Sequence, residues 1–325
     1  MRAIVQDRYG EADVLELREI DRPIPADGEV VVRVVAAGFD PGVWHVMAGI
    51  PYLVRLMGFG FSKPKIPVRG TDVAGIVETV GGNVTEFRPG DEVFGGGRGS
   101  FAEYVRCETG SLVRKPANIS FEQASTYASS GLTAVQGLRA GGGAEPGKKI
   151  LIIGAAGGVG SFAVQIARES GAEVTGVCST TKIDIVHSLG AQHVIDYEME
   201  DFADGRGQWD LILDTAGNRP LKTLRRALAP EGALVIVGGE GGGRWLAGLE
   251  RNLAAALLSP FVGQKLTTIF AGSDKDDLAT LRDLAEAGKL VPIMDRTYTL
   301  AETPDAIRHW RGGRSRATLV LSPSG

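Results

Sequence analysis

Seven consecutive residues, Gly154-Ala155-Ala156-Gly157-Gly158-Val159-Gly160, carry the most specific chemistry in this 325-residue chain. They follow the apolar run Ile150-Leu151-Ile152-Ile153, and after them Phe162, Ala163, Ile166 and Ala167 recur at helical spacing up to Gly171. A second apolar run, Glu173 to Val177, comes next. Strand, glycine turn, helix and strand is the βαβ order whose turn receives a dinucleotide pyrophosphate. Glycine at 157 and 158 lets the backbone come close to a phosphate, and Gly160 lets the helix lie tightly on the strand. The free N–H groups and the dipole of the first helical turn attract the anion. Ala155 stands where the first glycine of G-x-G-x-x-G is usual, with Gly154 one step earlier. Ala156, Gly157, Gly158 and Val159 are the expected pyrophosphate contacts.

The end of the second strand decides which dinucleotide. A site specific for NAD usually carries Asp or Glu there, accepting from the ribose 2′-hydroxyl. Here the chain reads Cys178-Ser179-Thr180-Thr181-Lys182, with no carboxylate before Asp184. Hydroxyls and an ammonium suit a 2′-phosphate through charge-assisted hydrogen bonds. Ser179, Thr180 and Lys182 are therefore expected to hold it, and NADPH is the expected cofactor. Ser179 and Thr180 are equally suited to cap a helix starting near Ile183, and the two roles are compatible.

The elements that must position these residues fall into two patterns. Before residue 122 the chain reads as short strands broken by Gly and Pro: Val30 to Val35, Asp72 to Gly81, Phe87 to Phe94 and Ser100 to Val105. That pattern suggests a small, partly closed β barrel. From Ser120 helices enter, the first with Ser120 and Gln123 at capping-box positions. Apolar strands then alternate with helices, at 193–196, 210–214, 233–237 and 266–270, which predicts a doubly wound parallel sheet, an α/β fold. Strands at 296–300 and 317–321 are expected to return to the first domain. The expected division is 1–122, 123–272 and 273–325.

Composition narrows the class. A hydrophobic share of 43% with 23% charged residues belongs to a globular chain. A net charge of −4 leaves no basic excess for nucleic acid. Cys107 and Cys178 lie far apart, which suits a reducing cytoplasm rather than a disulfide framework. The sequence opens directly into strand-like residues with no leader pattern, and the apolar stretch 246–261 is too broken by polar residues to span a bilayer. A cytoplasmic protein with no membrane or nucleic-acid partner is expected.

The order of motifs resembles the medium-chain dehydrogenase/reductase superfamily, in its zinc-independent quinone oxidoreductase branch. The resemblance rests on Gly70-Thr71-Asp72-Val73-Ala74-Gly75, Pro89-Gly90-Asp91-Glu92-Val93, Gly131-Leu132-Thr133-Ala134, the 154–160 turn, Asp214-Thr215-Ala216-Gly217 and Val237-Gly238-Gly239. It implies a GroES-like barrel from both chain ends, a central Rossmann domain, an active site in the cleft between them, and a homodimer pairing through the strand near Leu266 to Phe270. It also implies cofactor contacts at Thr133, Tyr197, Val237, Gly238, Gly239 and Phe270. Thr133 is also readable as helix packing, and Gly238-Gly239 as a strand-ending turn.

Zinc alcohol dehydrogenases of this superfamily use two cysteines and a histidine as catalytic ligands. The matching positions here hold Asp40, Thr71 and Ser129 or Ser130, and Gly95 to Gly99 replaces the structural-zinc loop. Zinc needs soft or imidazole ligands, so no metal is expected. Without a Lewis acid, reduction of a quinone or an α,β-unsaturated carbonyl is the easier chemistry, needing hydride from NADPH and a hydrogen-bond donor for the developing oxyanion. Asp40, Trp44 and Tyr52 are the candidate catalytic residues. The family usually has Asn at the position of Asp40, and an ionised Asp cannot donate; a raised pKa in an apolar cleft restores a donor. Asp40 followed by Pro41 also reads as a helix cap, Tyr52 as a packed loop aromatic, and Trp44 with Phe59 and Phe61 as pocket wall or as core. The alternative function is an NADPH-binding protein with little turnover, and a zinc-type alcohol dehydrogenase stands last.

Overall fold

Six apolar runs between Thr133 and Gly272 build one parallel sheet. In space the order is His193–Asp196, Glu173–Cys178, Lys149–Ile153, Trp209–Asp214, Leu228–Ile236 and Lys265–Thr268. The order reverses between Lys149–Ile153 and Trp209–Asp214, and a ligand crevice opens at such a switch point beyond the carboxyl ends of the strands. Ile150, Leu151, Ile152, Leu211, Ile212 and Leu213 are fully buried, as expected of strands covered by helices on both faces. The crossover helices include Gly158–Glu169, Ile183–Ser188, Leu221–Ala227 and Leu249–Leu258. The computed structural model describes residues 1–205, 208–237, 245, 249–313, 315 and 317–323.

This sheet belongs to one of two compact units, Thr133–Gly272; the other joins Met1–Leu132 to Ser273–Gly325. Its last strand stops at Thr268, two residues short of the expected 266–270 run, and leaves Phe270 three-quarters exposed. Lys265–Thr268 pairs with Leu228–Ile236 on one side and is the edge of the described sheet.

The other unit holds a mostly antiparallel sheet with the space order Met294–Thr299, Thr318–Ser322, Glu29–Phe39, Asp72–Val80, Glu92–Gly96 and Leu112–Arg114. Tyr104–Glu108 pairs with the first half of Glu29–Phe39. The late strand Thr318–Ser322 pairs with the end of Glu29–Phe39, Leu319 opposite Phe39, so both chain ends close one structure. Its core gathers Val30, Val32, Phe39, Met47, Val73, Phe101, Leu112, Ile307 and Leu319.

One expected strand moves. Residues 100–103 form a bend, and the strand begins at Tyr104. The cause is the Gly70 turn: Gly99 N–H donates to the Gly70 carbonyl, Phe101 N–H donates to Arg69, and the Phe101 carbonyl accepts from Ile4. Two separate segments, Arg69-Gly70 and the strand Arg2–Val5, satisfy these backbone groups, so only an isolated bridge between Ala3 and Ala102 forms there. The helix entry at Ser120 follows its sequence signature: the Ser120 side chain accepts from Gln123 N–H, and the Gln123 side chain accepts from Ser120 N–H. The following helix is Tyr127–Ala140. Among the described residues, no helix is long and apolar enough to cross a membrane.

Candidate functional sites

In the parallel-sheet unit, the glycine turn shows why its motif is shifted by one residue. Gly154 is the residue with left-handed backbone, φ +83°. A Cβ there would also lie 2.5 Å from Thr215 Oγ1, whose hydroxyl donates to the Ile153 carbonyl. Ala155 can carry its methyl because Gly176 on the next strand leaves room: a Cβ at Gly176 would come within 3.0 Å of it. Gly160 has no such freedom. A Cβ there would lie 2.1 Å from the Gly154 carbonyl oxygen and 2.8 Å from Ala155 Cα. The helix starts at Gly158 with Gly157 as its cap, and no capping side chain covers it. The N–H groups of Gly158, Val159 and Gly160 therefore face outward with no carbonyl of their own helix to meet. Such a cradle fits a pyrophosphate.

The neighbouring strand ends bring further predicted residues to the same edge. Ser179, Thr180 and Lys182 follow the strand Glu173–Cys178, and Tyr197 follows His193–Asp196, with Asp196 in register with Cys178. Tyr197 N–H donates to the Cys178 carbonyl, and its half-exposed ring lies 5.8 Å from the Arg219 guanidinium. This pairing also delivers two carboxylates that the linear reading overlooked. The Thr180 hydroxyl donates to Asp196 Oδ2, and Glu198 Oε2 lies 3.3 Å from it. Thr180 has one proton to give, and a carboxylate takes it. Ser179 and Lys182 are the other groups of this run whose chemistry suits a phosphate. The signal was present in sequence, since Asp196 precedes Tyr197, but only strand pairing puts it beside Thr180. Burial, with Asp196 adding to it, pushes the Cys178 thiol up to about 11, so it stays protonated at neutral pH.

Val237 leaves the strand Leu228–Ile236 and donates its N–H to the Asp214 carbonyl. Gly238 and Gly239 lie outside the described residues. Thr133 sits one turn before Gly137, whose face packs on Leu213, Ile269 and Val237, so both belong to the helix face turned to this end of the sheet. Gln136, absent from the sequence-based set, fixes the segment after Phe270: its side chain donates to the Gly272 carbonyl and accepts from Gly272 N–H. Asp214 is fully buried, accepting from Gly217 N–H and from Arg251 Nη1 at 2.8 Å. Burial pushes its pKa up, against the pull of Arg251.

In the other unit, the three positions where zinc dehydrogenases carry ligands do come together. Asp40 caps the helix Pro41–Ala48, its Oδ1 accepting from Gly42 N–H at 2.7 Å, while Oδ2 accepts from Thr71 Oγ1 at 2.9 Å. Asp72 starts the strand Asp72–Val80; Ser129 donates to its carboxylate from both hydroxyl and backbone N–H. Gly38 makes the approach close: a Cβ there would lie 2.3 Å from the Ser125 carbonyl and 3.3 Å from Asp72 Cβ. Asp40 keeps partial exposure; Asp72 is 3% exposed. Burial raises both pKa values, and with Asp40 close by Asp72 is pushed up to about 8. The sequence reading included Asp40 and missed Asp72, whose burial depends on a helix more than fifty residues away in the chain.

This donor set does not fit catalytic zinc. Two of the three positions offer hydroxyls, both Asp40 oxygens already accept hydrogen bonds, and no cysteine or histidine belongs to the cluster. Among the described residues, no group of three or more His, Cys, Asp or Glu side chains could hold a metal ion.

The other two catalytic candidates are held by contacts of their own. Trp44 is a core residue, 7% exposed, with its indole N–H donating to Glu11 and the Arg311 guanidinium 4.1 Å above its ring. Tyr52 opens a single helical turn and stacks under Arg55, which also covers Tyr9 and donates to the Gly49 carbonyl. Phe59 and Phe61 are exposed.

Known proteins resemble the chain over its whole length. A profile described as an alcohol dehydrogenase GroES-like domain matches residues 26–117, and one described as a zinc-binding dehydrogenase matches residues 189–321. The 2-methylene-furan-3-one reductase of Solanum lycopersicum is 30% identical, over 99% of this chain and 79% of its own length. The chloroplastic quinone oxidoreductase QR1 of Triphysaria versicolor is 30% identical over 99% of this chain and 98% of its own. The structure of the quinone oxidoreductase from Coxiella burnetii superposes with a TM-score of 0.84 at 25% identity, covering 99% of both chains. Fold, motif order and full-length identity agree: the chain belongs to the medium-chain dehydrogenase/reductase superfamily of nicotinamide-dependent oxidoreductases, in its quinone oxidoreductase-like branch.

Proposed function

We propose that the chain is a zinc-independent reductase that uses NADPH to reduce a quinone or an α,β-unsaturated carbonyl. The reading is supported above all by the cluster of Asp40, Thr71, Asp72 and Ser129, which puts hydroxyls and carboxylates where a Lewis acid would need thiolates and imidazole. The names of the relatives, a furanone reductase and quinone oxidoreductases, point to the same acceptors. Bound at the strand ends, NADPH would supply the hydride. The chain's own part is to hold and orient it. The amides of Gly157, Gly158 and Val159, beside Ala156, meet the pyrophosphate, and Ser179 and Lys182 meet the 2′-phosphate, with Thr180 and Tyr197 at its margin. Thr133, Val237, Gly238, Gly239 and Phe270 would flank the nicotinamide. Asp40 and Tyr52 supply donors to the acceptor oxygen, and Trp44 anchors the helix that carries Asp40.

Two free, buried cysteines fit a reducing cytoplasm. The edge strand Lys265–Thr268, uncharged after its first residue, is suited to pair with a second copy of itself. The test is steady-state oxidation of NADPH against a panel of quinones and enones, with NADH in parallel. Turnover with at least one panel member, faster with NADPH, is expected. Tight NADPH binding without turnover on any acceptor would leave only the binding-protein reading.

A further inference from the structure

We propose that Asp40 and Asp72 act as one acid that shares a single proton at neutral pH, with Asp72 the buried reservoir and Asp40 the member that donates. The proposal rests on the reductase reading for its use, and on geometry for its existence. Both carboxylates are enclosed by the same two hydroxyls: Thr71 donates to Asp40 at 2.9 Å, Ser129 donates to Asp72, and each hydroxyl also acts on the other carboxylate. Two like charges so close in a low-dielectric site cannot both be retained cheaply.

Among the described residues neither carboxylate has a salt-bridge partner, and the surrounding charged groups are engaged elsewhere. His45 on the Asp40 helix faces the Ile50 carbonyl. Glu78 on the Asp72 strand is held by Arg22 and Arg33, and Glu29 on the neighbouring strand by Arg106. Tyr127, at the start of the Ser129 helix, donates to the Leu290 carbonyl. The group acting most on Asp72, after burial itself, is Asp40.

A protonated Asp40 removes the objection raised by the missing amide, because it can donate where an ionised carboxylate cannot. As negative charge builds on an acceptor oxygen, the O–H bond of the Asp40 carboxyl breaks and a new O–H bond forms on the acceptor. The electron pair stays on Asp40 as carboxylate, and solvent water returns the proton at its exposed side.

Carbon-detected NMR of aspartate-labelled full-length protein, titrated without nucleotide, reads the shared proton directly. One aspartate carboxyl is expected to titrate near pH 8. In Asp40→Asn, which keeps the helix cap, the Asp72 midpoint is expected to fall by more than about one pH unit once its like charge is gone. An unmoved Asp72 midpoint, or wild-type aspartates all titrating below about pH 5, would overturn the shared proton. Asp72→Asn should lower the Asp40 midpoint in the same way; if it does not fold, Asp40→Asn alone carries the decision. Turnover of the acceptor panel separates the two readings. A shared proton with no turnover overturns the reductase and leaves the acid standing, whereas independent titrations with turnover intact overturn the acid alone.

Discussion

The glycine turn and the Asp40 cluster hold their chemistry in opposite ways. The turn works with backbone: seven consecutive residues place N–H groups at a helix start, and glycines clear the space. The cluster works with side chains drawn from three separate places, the end of one strand, the start of another and a helix. Backbone sites are rigid and fail through steric change, while side-chain clusters are tuned by burial and fail through charge. Substitutions that respect this difference should separate the two regions.

The largest effect belongs to the turn. Gly160→Ala forces a methyl to within 2.1 Å of a backbone oxygen that cannot turn away. A loss of about 3–5 kcal/mol is expected, at the top of the range for single substitutions. Nucleotide affinity should fall more than 100-fold, read by urea unfolding and by nucleotide titration. Close behind comes Asp214→Ala in the same unit. It leaves the Arg251 guanidinium, 11% exposed, facing a hole where its carboxylate partner was. Breaking a buried pair on one side costs about 3–5 kcal/mol. Here nucleotide affinity should suffer less than stability, the reverse of a defect in the turn itself.

The Asp40 cluster should show itself through pH. Asp72 holds its proton up to about pH 8 in the fold but has an ordinary value of 3.8 when exposed. Between those values the native state binds more protons than the unfolded chain, so stability falls as pH rises. The lowered carboxylates, Asp7, Glu86, Glu103 and Glu302, act in the opposite sense, but only as pH falls through the acid range. From pH 5 to 8 the raised groups therefore dominate, and a decline of roughly 1 kcal/mol per pH unit is expected. Asp72→Asn should flatten that slope in urea midpoints measured across the range. A wild-type protein equally stable at both ends would contradict the placement of Asp72.

How much of each region was legible follows from the same difference. The turn could be read because its signal is local: strand, glycines and helix are neighbours in the chain. The Ser120 capping box and the Asp40-Pro41 helix start were readable for the same reason. The bend at residues 100–103 was not, because its hydrogen bonds go to Arg69, Gly70 and Ile4, and an apolar run alone says nothing of distant partners. Asp72 stands in the Gly70 to Gly75 motif, yet its chemistry depends on Ser129 reaching it from a distant helix. Asp196 was likewise visible, but its effect on Thr180 needs the register of two strands.

The 2′-phosphate site lies between these extremes, since local residues supply its donors and strand pairing supplies the opposing charges. Removing a donor should have the larger effect. Lys182→Ala deletes a charge-assisted hydrogen bond of about 1.5–3 kcal/mol. It should weaken NADPH at least about tenfold while leaving NADH within a factor of two or three; equal losses for both would place the phosphate elsewhere.

The smallest expected effect tests the charges that strand pairing brings in. Glu198 is exposed, and its carboxylate lies 3.3 Å from the Thr180 hydroxyl. A 2′-phosphate seated at Ser179 and Lys182 would feel that charge through partly screened solvent, where one charge interaction amounts to roughly 0.5–1 kcal/mol. Glu198→Gln should therefore tighten NADPH a few-fold and leave NADH nearly unchanged, with the gain shrinking as salt rises. Asp196→Asn is a poorer probe, because Asp196 is buried, anchors Thr180 and accepts from Glu198 N–H, so its loss disturbs the turn itself. A salt-dependent gain confined to NADPH would show that strand register sets the cofactor preference as much as the local Ser179 to Lys182 run. If NADH tightened equally, Glu198 would be acting on the loop rather than on the phosphate.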